Sequence, residues 1–265
     1  MKTRENKLKT RLLAGDVTCG LWMGGGSPTL AEIAARAGFD WCLIDGEHNP
    51  NADDMALAQL QAMDGGDAEP VMRVVSGEDW LIKRALDIGA QTLVVPMVHS
   101  AEDAARVAAA CRYPGWADGQ GTRGMGAYQA RASGYGANDN YVAEANDQVF
   151  CFVQAESRAA LENIDAIAAT KGVDGVFIGP ADLSADMGYP GNPGAPEVQE
   201  AIAHICARVQ AAGKPLGTVT FDVTQTAALK DQGFQFIGVG GDLALFAAAA
   251  RETVKVANKA VRAMS

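Results

Sequence analysis

Two carboxylates stand where a small cation could be shared. Glu156 closes the apolar run QVFCFVQAE (148–156), and Asp182 lies in GVFIGPADLS (175–184), the next apolar run along the chain. If these runs are neighbouring strands of a parallel sheet, they lie about 4.8 Å apart and their ends can converge on one ion. Two carboxylates that leave room for water and substrate oxygens suit Mg²⁺ and similar hard cations. Capping of the helices that follow is the plainer alternative for both residues. Zinc fits poorly, because His48, His99 and His204 show no HxH or HExxH spacing and His204 sits in the helical pattern AIAHICARV.

His48, at the end of DWCLIDGEH (40–48), follows an apolar run and has acids beside it, which makes it the natural general base. His99, in PMVHS, is a second candidate by position, and a satisfied hydrogen-bonding loop residue is the alternative for either. Arg73 interrupts the apolar run PVMRV (70–74) with a permanent cation. Burying it requires an anion or a polarised oxygen, so it serves either a structural salt bridge or a substrate. The remaining polar groups at the ends of such runs are Asp45, Glu47, Gln154 and the segment Gly179-Pro180-Ala181-Asp182. Other chemistries lack their residues. Lys171 and Lys214 precede apolar runs and Lys83 lies inside a helical stretch, so no lysine is placed for a Schiff base. There is no GxSxG or GxxxxGK[ST]. The glycines Gly238, Gly240 and Gly241 could receive a phosphate or form a tight turn.

The elements that must position these groups form a repeat. Eight short apolar runs (19–24, 40–48, 70–74, 92–98, 148–156, 175–184, 215–221 and 234–241) alternate with Ala- and Leu-rich helical stretches, after one short N-terminal helix. Near-continuous apolar strands between amphipathic helices indicate a parallel sheet, and eight repeats favour a closed (β/α)₈ TIM barrel. A doubly wound sheet is the alternative, but GGGSPT after the first run lacks the spacing of a dinucleotide fingerprint. In a barrel the site forms at the C-terminal strand ends, where the residues above fall. The stretch GWADGQGTRGMGAYQARASGYGAND (115–139) is the one long irregular segment; it starts on the opposite side and reads as functional or as a subunit contact.

With 265 residues and 48% hydrophobic content the chain suits a single barrel domain over 1–265. A formal net charge of −10 argues against nucleic acid as a partner. No apolar run approaches the ~20 residues needed to span a bilayer, so no membrane is expected. MKTRENKLKTR is basic but no apolar stretch of a secretion signal follows it, which makes a cytoplasmic enzyme the expectation. The five cysteines are scattered singly and read as small buried residues rather than disulfides.

The pieces LIDGEHNP (43–50), QTLVVPMV (91–98), TRGMG (122–126) and above all GVDGVFIGPADLSADMGYPGNPGAPEVQ (172–199) resemble the HpcH/HpaI class II pyruvate aldolases over nearly the whole chain. The resemblance implies a divalent-metal-dependent lyase that joins or cleaves a 4-hydroxy-2-oxo acid from pyruvate or hydroxypyruvate and an aldehyde. It implies Glu156 and Asp182 as the metal carboxylates, with Mg²⁺, Mn²⁺ or Co²⁺ and no organic cofactor. His48 matches the base, Arg73 the group on the ketone oxygen, and Asp87 in RALDIGA the acid that pairs with the base histidine. Gln154 matches a substrate-side amide, and Gly179, Pro180, Ala181 and Asp182 the segment that receives the pyruvate carboxylate. Asp45 and Glu47 lie in the matched loop. The family's habit of forming hexamers, with the last helix packed on or exchanged with a neighbour, implies the same use of LALFAAAA here. Ala155, Val74 and the lengthened GWADGQGT depart from the usual pattern and bear on donor and acceptor specificity. Alternatives are a CoA-thioester lyase of the malyl or citramalyl type, a barrel isomerase for a sugar phosphate, and a non-catalytic binding barrel.

Overall fold

The structure, a computed structural model, describes residues 2–262. Helix α1 (Lys7–Leu13) is followed by β1 (Thr18–Met23), α2 (Pro28–Ala35), β2 (Trp41–Asp45), α3 (Asp53–Met63), β3 (Glu69–Arg73), α4 (Asp79–Asp87), β4 (Thr92–Val95) and α5 (Ala101–Ala110). After a stretch of 3₁₀ turns come α6 (Tyr141–Gln148), β5 (Phe150–Ala155), α7 (Arg158–Glu162), α8 (Ile164–Ala169), β6 (Gly175–Ile178) and α9 (Pro180–Asp186). The chain continues through α10 (Pro196–Ala211), β7 (Leu216–Thr220), α11 (Thr226–Asp231), β8 (Phe234–Gly241) and α12 (Asp242–Arg262). The strands pair in parallel and in sequence order, and β8 returns to β1, closing an eight-stranded barrel.

Strand side chains alternate, so one set fills the barrel and the other meets the helices. Trp41, Leu43, Val71, Val94, Phe150, Phe152, Phe177 and Phe236 pack inside, and Leu8 and Leu12 of α1 join this interior cluster. Trp41 stacks on Phe236 with ring centroids 3.7 Å apart. Gly20 makes that stack possible, since a Cβ there would lie 2.0 Å from the Trp41 ring. The second and larger cluster, built from aliphatic and alanine side chains, lies between strands and helices. The cysteines Cys42, Cys111, Cys151 and Cys206 are buried as expected and unbridged, whereas Cys19 is only half-buried.

The inner set changes character toward the C-terminal ends. Along β2 it runs Trp41, Leu43, Asp45, along β3 Val71, Arg73, and along β5 Phe150, Phe152, Gln154. The interior thus passes from aromatic packing to a polar rim within one pleat, and Asp45 and Arg73 stand side by side in register.

Three expectations need correction. The run 175–184 is not one strand: β6 ends at Ile178, and Gly179 and Pro180 start α9 as N-cap and first residue. Asp182 therefore sits in the first turn of a helix rather than at a strand end. The helical stretch after β5 is divided at Asn163 into α7 and α8. Helix α6 was not foreseen, and 115–139 contains three short 3₁₀ turns in place of a structureless loop.

Candidate active site

Asp45, His48, Arg73, Gln154, Gly179, Pro180, Ala181 and Asp182 line one cavity of about 1070 Å³ at the C-terminal end of the barrel. Arg73 organises its floor. Its Nε donates to Asp45 Oδ1 at 2.7 Å and its Nη2 to Asp45 Oδ2 at 2.8 Å, a bidentate pair on adjacent strands. Nη1 stands 2.8 Å from Glu47 Oε2, and the guanidinium lies 4.9 Å above the Trp22 ring. Burial acts to raise the Asp45 carboxyl, but the Arg73 bonds and charge, joined by Asn49, overcome it and hold the group below its ordinary value. Glu47 has no bidentate partner. Burial pushes its carboxyl up to about 7 against the pull of Arg73, with Glu156 adding to the rise.

His48 is largely exposed at the mouth of the cavity, its Nε2 3.9 Å from Glu47 Oε2. Glu156 is the first residue beyond β5 and is buried. Its Oε1 accepts from the Met97 backbone N–H at 2.7 Å, and its Oε2 accepts from Gln154 Nε2. Burial raises this carboxyl, and the neighbouring Asp182 charge adds to that despite the two donors. A Cβ on Gly179 would come within 2.8 Å of Glu156 Oε2, so the absent side chain leaves the carboxylate its place. Neither acid caps a helix: Ser157 caps α7, and Gly179 occupies that position on α9.

The charges do not balance. Asp45, Glu47, Glu156 and Asp182 act on one another and on Arg73, four carboxylates against one guanidinium, an excess of three negative charges when all are ionised. Gln154 Oε1 is buried with no hydrogen-bond partner in the same place. An oxygen-rich, electronegative pocket of this kind fits a divalent cation held by Glu156 and Asp182 with the rest of its shell from water or substrate. Among the described residues no group of three or more His, Cys, Asp and Glu side chains is set to hold a metal.

Asp87 is not part of this constellation. It ends α4, at the opposite end of the barrel, where its carboxylate accepts from Arg123 Nη2 at 2.7 Å. Within one chain it does not reach His48. His99 also has another partner, with Nδ1 2.8 Å from Ser157 Oγ. No lysine lines the cavity among the described residues, and Lys214 Nζ donates to Val173 O at the far end of β6. Gly238, Gly240 and Gly241 all lie within β8, and Asp242, just beyond them, accepts from the amides of Gly24 and Gly25 at 2.8 and 3.0 Å.

Trp22, Asn49 and Met97 belong to the site and were not foreseen. Trp22 could have been found by counting alternate positions along β1, since it shares the interior face with Gly20. Asn49, whose Nδ2 donates to Asp45 Oδ2 at 2.5 Å, stands in the quoted loop. Met97 acts through its backbone, and no sequence pattern announces that.

Comparison with known proteins gives the family. Residues 18–249 match the family model described as HpcH/HpaI aldolase/citrate lyase. A 2-keto-3-deoxy-L-rhamnonate aldolase of Salmonella dublin is 48% identical over 241 residues, 91% of this chain and 89% of that protein. A hydroxypyruvate/pyruvate aldolase of Agrobacterium fabrum is 48% identical over 247 residues, 93% of this chain and 91% of that one. The crystal structure of an HpcH/HpaI aldolase/citrate lyase family protein from Burkholderia cenocepacia J2315 superposes with a TM-score of 0.92 at 37% identity, covering 96% of this chain and 99% of the other. On the barrel, the rim residues and these matches together, the chain belongs to the HpcH/HpaI aldolase/citrate lyase family.

Proposed function

We propose that the chain is a divalent-metal-dependent aldolase that cleaves or forms 4-hydroxy-2-oxo acids, with pyruvate or hydroxypyruvate as donor and an aldehyde as acceptor. The observation that carries this reading is the excess of carboxylate at a rim where Arg73, the one Lys or Arg lining the cavity among the described residues, is already committed to Asp45 and Glu47. Glu156 and Asp182 would hold Mg²⁺, Mn²⁺ or Co²⁺, and such an ion polarises a keto oxygen and acidifies the carbon beside it.

The chain's own groups do the rest. The first turn of α9 leaves amides at Ala181 and Asp182 without intrahelical acceptors, a place for the donor carboxylate; Pro180 has no N–H to offer. Arg73 keeps N–H groups on Nη1 and Nη2 beyond those used by Asp45 and Glu47, and these meet negative charge growing on the keto oxygen. Trp22 and Asp45 fix the guanidinium plane, so little reorganisation is needed. Gln154 lends its amide to the donor side. His48, at the cavity mouth, moves the proton between donor carbon or acceptor hydroxyl and solvent.

The pairing of His48 with Asp87 then requires a second copy of the chain, because each Asp87 lies at the far end of its own barrel. Helix α12 supports assembly: none of its residues is buried, and Leu243, Leu245, Phe246, Val254 and Val261 are exposed along it. We read it as packing on a neighbouring barrel in a homo-oligomer, a hexamer by analogy with the family. No helix among the described residues is long and apolar enough to cross a membrane, and a cytoplasmic enzyme remains the reading.

The test is a screen of aldol cleavage and addition with pyruvate and hydroxypyruvate as donors, run with and without divalent metal. Metal-dependent turnover of either donor is expected. Turnover of CoA thioesters or sugar phosphates with no keto-acid chemistry would overturn the proposal.

A further inference from the structure

The loop after β4, 96–100, is built in an unusual way. Met97 has φ +57°, in the left-handed region that residues with a Cβ rarely adopt. Among the described residues three other non-glycine residues share this feature, Ala117, Asp118 and Tyr135, and all three lie in 115–139; Met97 is the one at the cavity rim. Its side chain is half exposed, so packing does not explain the conformation. What the conformation does is aim the Met97 N–H at Glu156 Oε1, 2.7 Å away on the next loop.

His99 ties the same two loops together a few residues on. Its ring Nδ1 meets Ser157 Oγ at 2.8 Å, next to Glu156 in sequence. Its backbone O accepts from Asn163 Nδ2 at 3.1 Å, at the junction of α7 and α8, and its N–H donates to Asp103 Oδ2 at 3.3 Å on α5. Ring, carbonyl and amide of one residue are thus all engaged, two of them with the segment that carries Glu156. Between these anchors Val98 is buried, which leaves the loop little freedom. With Gln154 on Oε2, both oxygens of Glu156 have a fixed donor and the carboxylate plane is set before any ligand arrives.

We propose that His99 is a positioning residue: through Ser157 and Asn163 it locks the β4–α5 loop against the β5–α7 loop, so that the Met97 amide holds Glu156 in the orientation a divalent cation needs. The proposal rests on the reading of Glu156 as a cation ligand. It assigns His99 to the preparation of the site and not to proton transfer. Partners of this kind, one step removed from a ligand, typically change metal affinity 10–100-fold when removed.

The experiment titrates Mn²⁺ alone into chelator-stripped protein by calorimetry, for the parent and for His99→Ala, His99→Asn, His99→Gln and Glu156→Gln. An Asn amide reaches the place of Nδ1, whereas a Gln amide reaches the place of Nε2. His99→Ala and His99→Gln should therefore bind Mn²⁺ about 10-fold or more weakly, and His99→Asn should recover most of the affinity. Exchange of the pyruvate methyl protons at saturating Mn²⁺ should stay near the parent rate in all three. Parent-like Mn²⁺ affinity in His99→Ala, or equal affinity in the Asn and Gln variants, would overturn the proposal. So would parent-like Mn²⁺ affinity with exchange lost, which would make His99 the base. Undiminished Mn²⁺ binding by Glu156→Gln would instead strike the reading of the ligand itself. If His99→Ala does not fold, the comparison of Asn with Gln decides alone.

Discussion

Arg73 and Arg123 are both buried, at opposite ends of one barrel, and their surroundings differ in how far the arginine's charge is balanced. Arg73 stands among four carboxylates beside a large cavity. Arg123 has one carboxylate, Asp87, and lies over two phenol rings, 4.2 Å from the Tyr113 centroid and 5.8 Å from that of Tyr141. The first environment has more negative charge than its arginine can neutralise, and it calls for a further cation. The second is balanced pair for pair. Burial of a charge says little about function; the sign and size of what is left over says more.

The sharpest way to break the comparison is to remove the excess. Glu156→Gln and Asp182→Asn should each abolish aldol turnover and Mn²⁺ binding, with the circular-dichroism spectrum unchanged, because each neutralises a ligand without altering side-chain size. Retention of Mn²⁺ binding by both variants would remove the basis for a metal site here.

Next in size are the two arginines. Arg73→Ala should lower kcat for aldol cleavage and for oxaloacetate decarboxylation alike, by roughly 2.7–4 kcal/mol of transition-state stabilisation. Arg73→Lys should rescue little, since an ammonium cannot reproduce the planar fork of donors. Arg123→Met should instead lower the unfolding free energy by about 1.5–3 kcal/mol, as expected for loss of a charged hydrogen bond, and leave Mn²⁺ affinity at the parent value. Steady-state rates, urea unfolding and calorimetry on the three proteins distinguish these outcomes; a fall in cleavage with decarboxylation untouched would place Arg73 on the aldehyde instead.

Gly179→Ala comes third. The added methyl would meet side-chain atoms, Glu156 Oε2 at 2.8 Å and Cβ at 3.1 Å and Gln154 Nε2 at 3.2 Å, and not a backbone atom, so the protein should fold while the carboxylate is pushed off its donors. A 10–100-fold loss of Mn²⁺ affinity with little change in melting temperature is expected. Unchanged affinity would mean that Glu156 has slack that the fold does not suggest.

The smallest effect is a pH slope. The Glu47 carboxyl sits at about 7 in the folded protein, raised from 4.5 by burial. A raised carboxyl contributes its stability below the unfolded value and loses it as pH rises through the folded one. Metal-free protein should therefore lose stability between about pH 4.5 and 7, and Glu47→Gln should flatten that slope in thermal melts. Equal slopes in both proteins would show that Glu47 is solvated and not held among excess charge.

Much of this was legible in the residues themselves. The eight apolar runs match the eight strands because a strand buried on both faces must be apolar nearly throughout, and Asp45, Arg73 and Gln154 were visible as the polar interruptions. What misled was punctuation. Gly179-Pro180 reads as the tail of a strand and is a helix start, so Asp182 moved from a strand end into the first turn of α9. The α6 segment YVAEANDQ follows a glycine-rich stretch and has only Tyr141 and Ala145 buried, too little for a periodic signal. The separation of Asp87 from His48 follows from α4 running back along the barrel, which places the last residue of the helix at the far rim. The left-handed Met97 has no sequence signature, since its role is carried by a backbone amide.

The central claim, that carboxylates at this rim hold a cation needed for carbon-acid chemistry on a 2-oxo acid, is tested most directly by following the pyruvate methyl protons by NMR in D₂O. Protein stripped with excess chelator should exchange no protons above the buffer rate, and adding Mg²⁺ beyond the chelator should restore exchange. Exchange at full rate in the stripped protein, or a covalent adduct trapped from it by borohydride, would contradict the account.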